Sequence, residues 1–383
     1  MKAVEGRSNG RPPNGPIVVV PAAGEQGHRV AGMPVGERLA RAVNLANRRL
    51  EERTGGQPAG RVFVAGDAVI GEETLLSLCR EAQANVVVAG SSPERPAVAV
   101  ALPPDVDCRP RDADELGELA RQLLESGVAR WWPAGEFCMR VRSAREAREA
   151  SARLLATMWQ DTDGLLARYF DRSISTRISP WLVRWGVSPN AITMAATAIG
   201  LWGAVWLASP GTSRSVVGAA LVVLSTILDG CDGEVARLTL TASPSGRRLD
   251  LLGDNAVNAA VFAALGVGAV RAGKAPAWVA WTALAGMAVA ASVGLWFARW
   301  LERAGVGDRA RALYERASSR DFVYLILVLS LIDRLHWFVW LAAPGTFAFA
   351  AALLVLRFFF SEQLARQWLA SSEPAGDRDA LGR

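Results

Sequence analysis

Between residues 190 and 360 the chain is a succession of apolar segments, near 190–209, 215–236, 251–271, 276–299, 319–334 and 335–360. A helix needs roughly 20 predominantly apolar residues to cross the hydrocarbon core of a bilayer. In hydrocarbon the backbone N–H and C=O groups find partners only inside a helix or a closed barrel, and runs of this length and evenness fit helices. The second half of the chain is therefore expected to be an α-helical integral membrane domain with six transmembrane helices. The fifth run is marginal in length, and its border with the sixth falls at Asp333-Arg334. Trp202, Trp206, Trp278, Trp281, Trp296, Trp300, Trp337 and Trp340 supply rings for aromatic belts at the membrane surfaces.

The first half has a different texture. Residues 1–15 are polar and rich in Gly and Pro, and read as disordered. The first apolar run, Ile17–Val20, is too short for a secretory signal. Residues 16–158 read as a soluble α/β, Rossmann-like domain, with Ile17–Val20, Val62–Ala65 and Val86–Ala89 as buried strands. Amphipathic helices are expected at 36–50, 72–83 and 113–126, and this alternation predicts a parallel sheet. Across 159–188, Leu165, Leu166, Tyr169, Phe170, Ile174, Ile178, Trp181 and Leu182 recur at helical spacing, with Arg168, Arg172, Arg177 and Arg184 between them. That composition fits a helix lying in the membrane interface, or an amphipathic helix packed on the soluble domain. Residues 363–383 form a polar tail after the membrane domain at 189–362.

Charge gives an orientation. The net charge is +5, and Arg299, Arg303, Arg309, Arg311, Arg316 and Arg320 gather between two apolar segments. Basic loops face the cytoplasm, so both termini, the soluble domain and the loop after the second segment are placed on the cytoplasmic side of an inner membrane. Arg here is not interleaved with exposed aromatics on a soluble fold, which argues against a nucleic-acid partner. The two histidines, His28 and His336, disfavour a zinc site, and the four cysteines have no paired spacing.

Four carboxylates stand at the ends of the second and third apolar segments. Asp229, Asp232, Gly233, Ala236 and Arg237 recur at i, i+3, i+4, i+7 and i+8, on one helix face. Asp250 and Asp254 are spaced i, i+4, and a tight connection through Gly246 brings the two faces together. Carboxylates in such a place are costly unless compensated. Divalent cations are the simplest compensation, and two of them about 3.5–4 Å apart make a two-metal centre. Such a centre suits displacement at phosphorus, with one carboxylate taking a proton from an attacking hydroxyl. Gly233 and Ala236 leave room for a flat ligand or a close helix contact, and Arg237 serves either a ligand phosphate or a helix-end ion pair. A carboxylate-lined cation transporter is the alternative, since intramembrane acids also mark ion paths. The acids cluster at one end of two consecutive segments rather than reaching the midplane from several, which favours the enzyme.

The run Asp-x2-Asp-Gly-x2-Ala-Arg-x8-Gly-x3-Asp-x3-Asp, filled here by Asp229, Asp232, Gly233, Ala236, Arg237, Gly246, Asp250 and Asp254, resembles the signature of the CDP-alcohol phosphotransferase family. The likeness covers about 160–360 and includes Pro189-Asn190 and Thr193 at the first span. It implies six spans, two divalent cations (Mg or Mn), a homodimer, and transfer of a substituted phosphate from a CDP-alcohol to an acceptor hydroxyl with release of CMP. By the same resemblance Asp229, Asp232, Asp250 and Asp254 are metal ligands, and Asp254 is also the base. Gly233, Ala236, Arg237 and Gly246 belong to the nucleotide side. Asn190 and Thr193 are nucleotide-side residues or helix-capping ones. The donor is of the CDP-diacylglycerol or CDP-inositol type, and the acceptor is an alcohol or a phosphorylated polyol. Arg299, Arg303 and Arg320 either frame an anionic acceptor or anchor the loop at the membrane surface.

In the soluble half, Val18-Val-Val-Pro-Ala-Ala-Gly24 with Gly27, and Val64-Ala-Gly66-Asp67, resemble the sugar-phosphate nucleotidyltransferases. There a Gly-rich turn wraps the nucleotide and an Asp binds metal. The tandem arrangement resembles bifunctional inositol-phosphate cytidylyltransferase and dialkylglycerol phosphoinositol synthase proteins. No lysine occurs between Lys2 and Lys274 to balance a triphosphate. The domain is therefore expected to be degenerate, with a binding or assembly role, over a working cytidylyltransferase.

Overall fold

The computed structural model describes residues 17–22, 27–54, 60–90, 92, 94–104, 106, 108–134, 138–158, 170–304, 314 and 321–372. They divide into two compact units. The first holds the residues up to Met158 together with Ile178–Val187 and Glu234–Ala242; the second holds the rest.

The first unit is built on a five-stranded sheet in the order β1 (Ile17–Val20), β4 (Arg61–Ala65), β7 (Ala99–Leu102), β6 (Val87–Gly90), β8 (Arg130–Pro133). The ribbons β2–β3 (Arg29–Val30, Met33–Pro34) and β5–β9 (Ala68–Val69, Met139–Arg140) stand apart from it. The sheet is mixed rather than parallel. β1 pairs parallel with β4 and β6 parallel with β8, but β7 runs antiparallel to both of its neighbours. The connection from β6 to β7, residues 91–98, is too short for a crossover helix, and a short link joins antiparallel strands. β7 is a short Ala/Val run between Pro96 and Pro103, buried at all four positions, so no alternation marks it in the sequence.

Helices cover the sheet. In α1 (Val35–Thr54) the buried Leu39, Ala42, Val43, Ala46 and Leu50 form one apolar stripe. α2 (Glu72–Glu81) buries Leu75, Leu76, Leu78 and Cys79. α3 (Ala113–Glu125) is capped by Asp112, whose carboxylate accepts from the amides of Asp114 and Glu115 at 2.9 and 2.8 Å. α4 (Ala144–Ala156) starts with a reciprocal Ser143–Glu146 capping box. Residues 159–169 of the expected amphipathic stretch lie outside the described residues. The part described forms α5 (Arg172–Arg184), on which Ile174 and Trp181 are exposed.

The second unit is helical: α6 (Pro189–Leu207), α7 (Thr212–Leu238, whose residues from Glu234 on belong to the first unit), α8 (Pro244–Arg271), α9 (Ala277–Ala304), α10 (Phe322–Leu331) and α11 (His336–Ser372). Five of them, taken over Pro189–Leu207, Thr212–Leu238, Pro244–Arg271, Ala277–Leu301 and His336–Phe359, are long and apolar enough to cross a membrane. The expected fifth span, 319–334, is described only as the ten residues of α10. At 1.5 Å per residue that is about 15 Å, half of a hydrocarbon core of about 30 Å. The helix stops where Asp333 turns to φ 56°, a left-handed conformation that ends an α-helix.

Small residues set the helix spacing. A β-carbon on Gly203 would lie 2.9 Å from the carbonyl oxygen of Gly218, and one on Gly218 would lie 2.8 Å from that of Gly203. One on Gly200 would meet Ser225 Oγ and Val257 Cγ1, each at 2.7 Å. α6, α7 and α8 therefore touch almost backbone to backbone. Farther along, Phe262, Phe322 and Phe338 meet with ring centroids 5.7–6.1 Å apart. Asp333 joins three chain segments: its carboxylate accepts from Thr212 Oγ1 at 2.9 Å and from Lys274 Nζ at 3.1 Å.

Candidate active site

The acidic run lies on the last three turns of α7 and the first three of α8. α8 begins earlier than the sequence pattern suggests. Ser243 caps it by accepting from Gly246 N at 3.1 Å, and Pro244 fills its first position. Gly246 is thus inside the first turn of α8 and not in the connection, which is residues 239–243.

Asp229 of α7 and Asp250 and Asp254 of α8 converge. Each offers a carboxylate oxygen, and the three oxygens lie within 4.8 Å of one another, at half-buried positions. Oxygens on opposite sides of a bound Mg ion lie about 4 Å apart at metal–oxygen distances of 2.0–2.1 Å. The trio therefore closes on a hard divalent cation with a shift of less than about 1 Å, and all-oxygen donors suit Mg or Mn. Three half-buried anions at this spacing repel one another unless a cation or protons intervene.

Asp232 is not part of that trio. It is buried, and one carboxylate oxygen accepts a short hydrogen bond from Thr193 Oγ1 of α6. Capping of α6 falls to Ser188, whose Oγ accepts from Ala191 N at 3.3 Å, so neither Asn190 nor Thr193 serves that purpose. Asn190 is exposed, and its Oδ1 would be 3.3 Å from a β-carbon placed on Gly246. Gly233, Ala236 and Arg237 are half-buried on α7. Arg237 directs Nε toward Met158 Sδ at 3.3 Å. Between them Glu234 is fully buried and accepts from Ser179 Oγ at 2.6 Å.

Of the basic residues singled out in the sequence, Arg299 and Arg303 are exposed on the last turns of α9, and Arg320 lies outside the described residues. The sequence reading missed Arg357 on α11. Its guanidinium carbon sits 4.1 Å over the Trp296 ring and 5.7 Å from that of Trp300. Its Nε is buried without a hydrogen-bond partner. The available signal was a lone charge inside the last apolar segment, which in a membrane helix marks a special position. Asp171, in the Phe170-Asp171-Arg172 stretch that resembles the inositol-phosphate branch of the family, is a buried carboxylate that accepts a short hydrogen bond from Tyr324 OH.

In the first unit, Asp67 stands where the nucleotidyltransferase resemblance implies a metal ligand. Both of its oxygens are engaged: Oδ1 by Arg140 Nε at 2.7 Å and Oδ2 by Arg142 Nε at 3.1 Å. Gly24 lies outside the described residues.

Crowded carboxylates on two consecutive helices of membrane-spanning length describe an integral membrane type of protein with an acidic centre that could hold a metal ion. Residues 186–348 match the sequence model of the CDP-alcohol phosphatidyltransferase family, and this segment is a domain of that family. The chain is also similar to proteins named bifunctional IPC transferase and DIPP synthase. It is 30% identical over 232 residues to that of Archaeoglobus fulgidus, covering 58% of this chain and 43% of the relative. It is 31% identical over 255 residues to that of Rubrobacter xylanophilus, covering 66% and 53%. With that of Aquifex aeolicus the identity is 34% over 134 residues, covering 34% and 30%. The chain thus spans about half or less of the length of these curated relatives.

Proposed function

We propose that the protein is a membrane phosphotransferase of phospholipid synthesis that moves a substituted phosphate from a CDP-alcohol to an acceptor hydroxyl and releases CMP. The observation that carries this is the convergence of Asp229, Asp250 and Asp254 from α7 and α8, inside a segment of the matching family. Asp232 completes the acidic set through the oxygen that Thr193 does not hold. Two divalent cations, Mg or Mn, would neutralise phosphate oxygens and the departing CMP phosphate when bound. Asp254 takes the proton of the acceptor hydroxyl as its oxygen attacks phosphorus. The phosphorus–oxygen bond to CMP breaks, and CMP leaves with the bonding electrons. Gly233, Ala236, Arg237 and Gly246 bear on the nucleotide, with Asn190 and Thr193 beside them.

Arg299 and Arg303, joined by Arg357, favour an acceptor that carries its own phosphate, such as a phosphorylated polyol. Arg320 is assigned to the same group on sequence alone. The donor is of the CDP-diacylglycerol or CDP-inositol type, a choice that rests on the family resemblance of the acidic run. α10 completes a six-helix arrangement. The acidic ends, both termini and the first unit face the cytoplasm at an inner membrane, and the chain works as a homodimer. The engaged Asp67 supports a nucleotidyltransferase-like domain that no longer makes a CDP-alcohol.

The test is CMP release in reconstituted membranes from CDP-diacylglycerol or CDP-inositol, with Mn, across a panel of acceptors. Turnover that needs metal and disappears in Asp254→Asn supports the proposal. Cation flux without nucleotide turnover would point instead to a transporter.

A further inference from the structure

An α-helix leaves its last four carbonyls without intrahelical donors. At the end of α7 they belong to Ala236, Arg237, Leu238 and Thr239. Thr241 N donates to Ala236 O at 2.9 Å and Leu240 N to Arg237 O at 3.3 Å, the pairing of a Schellman turn. That turn leaves Leu238 O and Thr239 O. Arg38 Nη1 of α1 donates to Leu238 O in a short hydrogen bond, and Arg41 Nη1, one turn on, donates to Thr239 O at 2.9 Å. Glu37 Oε1 holds the other arm of Arg41 at 2.7 Å. All four orphan carbonyls are thereby matched, two of them by arginines of the first unit.

A separate observation concerns Leu240. It sits at φ 55°, a conformation that residues bearing a β-carbon rarely adopt and that glycine normally fills at this place in a helix end. Its side chain packs against the hydrophobic core of the sheet. A turn alone calls for glycine; a leucine held here adds an anchor. Arg38 is similarly costly: it is 5% exposed, its Nε has no hydrogen-bond partner, and burial lowers its pKa to about 10. It stays charged at neutral pH, where a cation beside the carbonyl end of a helix is favoured.

We propose that the sheet acts as a clasp on the last turn of α7, with Arg38, Arg41 and Leu240 as positioning residues. They fix the axial position and roll of the turn that carries Ala236 and Arg237. The clasp rests on the function proposed above for the role of those residues, and gives the domain a use that needs no chemistry of its own.

The test uses the full chain in lipid nanodiscs. Two quantities are read: amide exchange over 234–242, and equilibrium binding of CMP. Arg38→Met with Arg41→Met is expected to speed exchange at Thr239–Thr241 at least tenfold and to weaken CMP binding about fivefold. Arg38→Lys should recover most of both. Leu240→Gly should speed exchange although glycine suits the turn. Unchanged exchange in the double variant overturns the clasp. Faster exchange with unchanged CMP affinity overturns its link to the nucleotide side. Should the double variant not fold, Arg38→Lys and Leu240→Gly against wild type decide by the same two readings. A wild type that neither binds CMP nor turns over a CDP-alcohol defeats the proposed function instead, and exchange alone then judges the clasp.

Discussion

A carboxylate that shares a cation and accepts a proton is sensitive to the loss of one charge. In the proposed reaction Asp254→Asn keeps the shape of the side chain but would remove both capacities, and CMP release is expected to fall by about 10²–10⁴-fold, the usual worth of a general base. Mn titration followed by electron paramagnetic resonance should show weaker binding in the same variant. Thr193→Val tests a different contact. It strips a buried Asp232 oxygen of its donor, which costs about 1–3 kcal/mol and should lower the melting temperature by a few degrees. The cysteines offer a third check. Burial pushes the thiols of Cys79 and Cys138 up to about 12, and Cys231 is also buried, whereas Cys108 is half-exposed. A thiol reagent at pH 8 should therefore modify Cys108 first in the folded chain and all four only after unfolding. Because burial makes the folded thiols titrate above the ordinary thiol range, their contribution to stability is intact below about pH 9 and is lost as pH rises toward 12. The spacing of the aspartates was legible in the sequence because helix periodicity fixes which positions share a face. The partner of Asp232 was not, since it comes from α6, and periodicity within one helix says nothing about its neighbour.

Helix contacts in the second unit depend on missing side chains. Gly200→Leu would drive four carbons into Ser225 and Val257, already 2.7 Å from a single β-carbon. Overpacking of this kind costs about 1–3 kcal/mol or more, and the variant should lose monodispersity in detergent and melt earlier. Alanine at the exposed Met194 on the same helix should do neither. The apolar segments were readable from length and composition alone, which is why five of the helices fall where expected. The fifth segment was overestimated because Asp333 and Arg334 were counted into a run whose helix ends at Leu331. The start of α8 was misjudged for the opposite reason: Ser-Pro-Ser-Gly reads as a loop, yet Ser243 and Pro244 are a cap and a first turn. In the sheet, β7 escaped notice because its four residues, two of them Ala, lie in a stretch bounded by Pro96 and Pro103 that reads as a loop.

At the scale of the whole chain, the proposed cation binding would be linked to folding. A ligand that binds only the folded state adds RT ln(1 + [L]/Kd), about 2.7 kcal/mol at a hundredfold excess over Kd. Chelation should accordingly lower the melting temperature of wild type, with recovery on adding Mn, and should leave Asp250→Asn with Asp254→Asn nearly unaffected. The division into a sheet-bearing half and an apolar half was visible in composition, but the membership of Glu234–Ala242 in the first unit was not. Nothing in a local pattern reveals that the tail of one helix packs on a core nearly two hundred positions earlier. One feature of the helical unit reaches further. Asp333 ties the start of α7, the turn after α8 and the turn before α11 through Thr212 and Lys274, while the acids of α7 and α8 lie at the opposite ends of those helices. At 1.5 Å per residue Thr212 stands roughly 25 Å from Asp229 along α7, close to the thickness of a hydrocarbon core, so the polar tie and the acids mark the two opposite ends of the same helices.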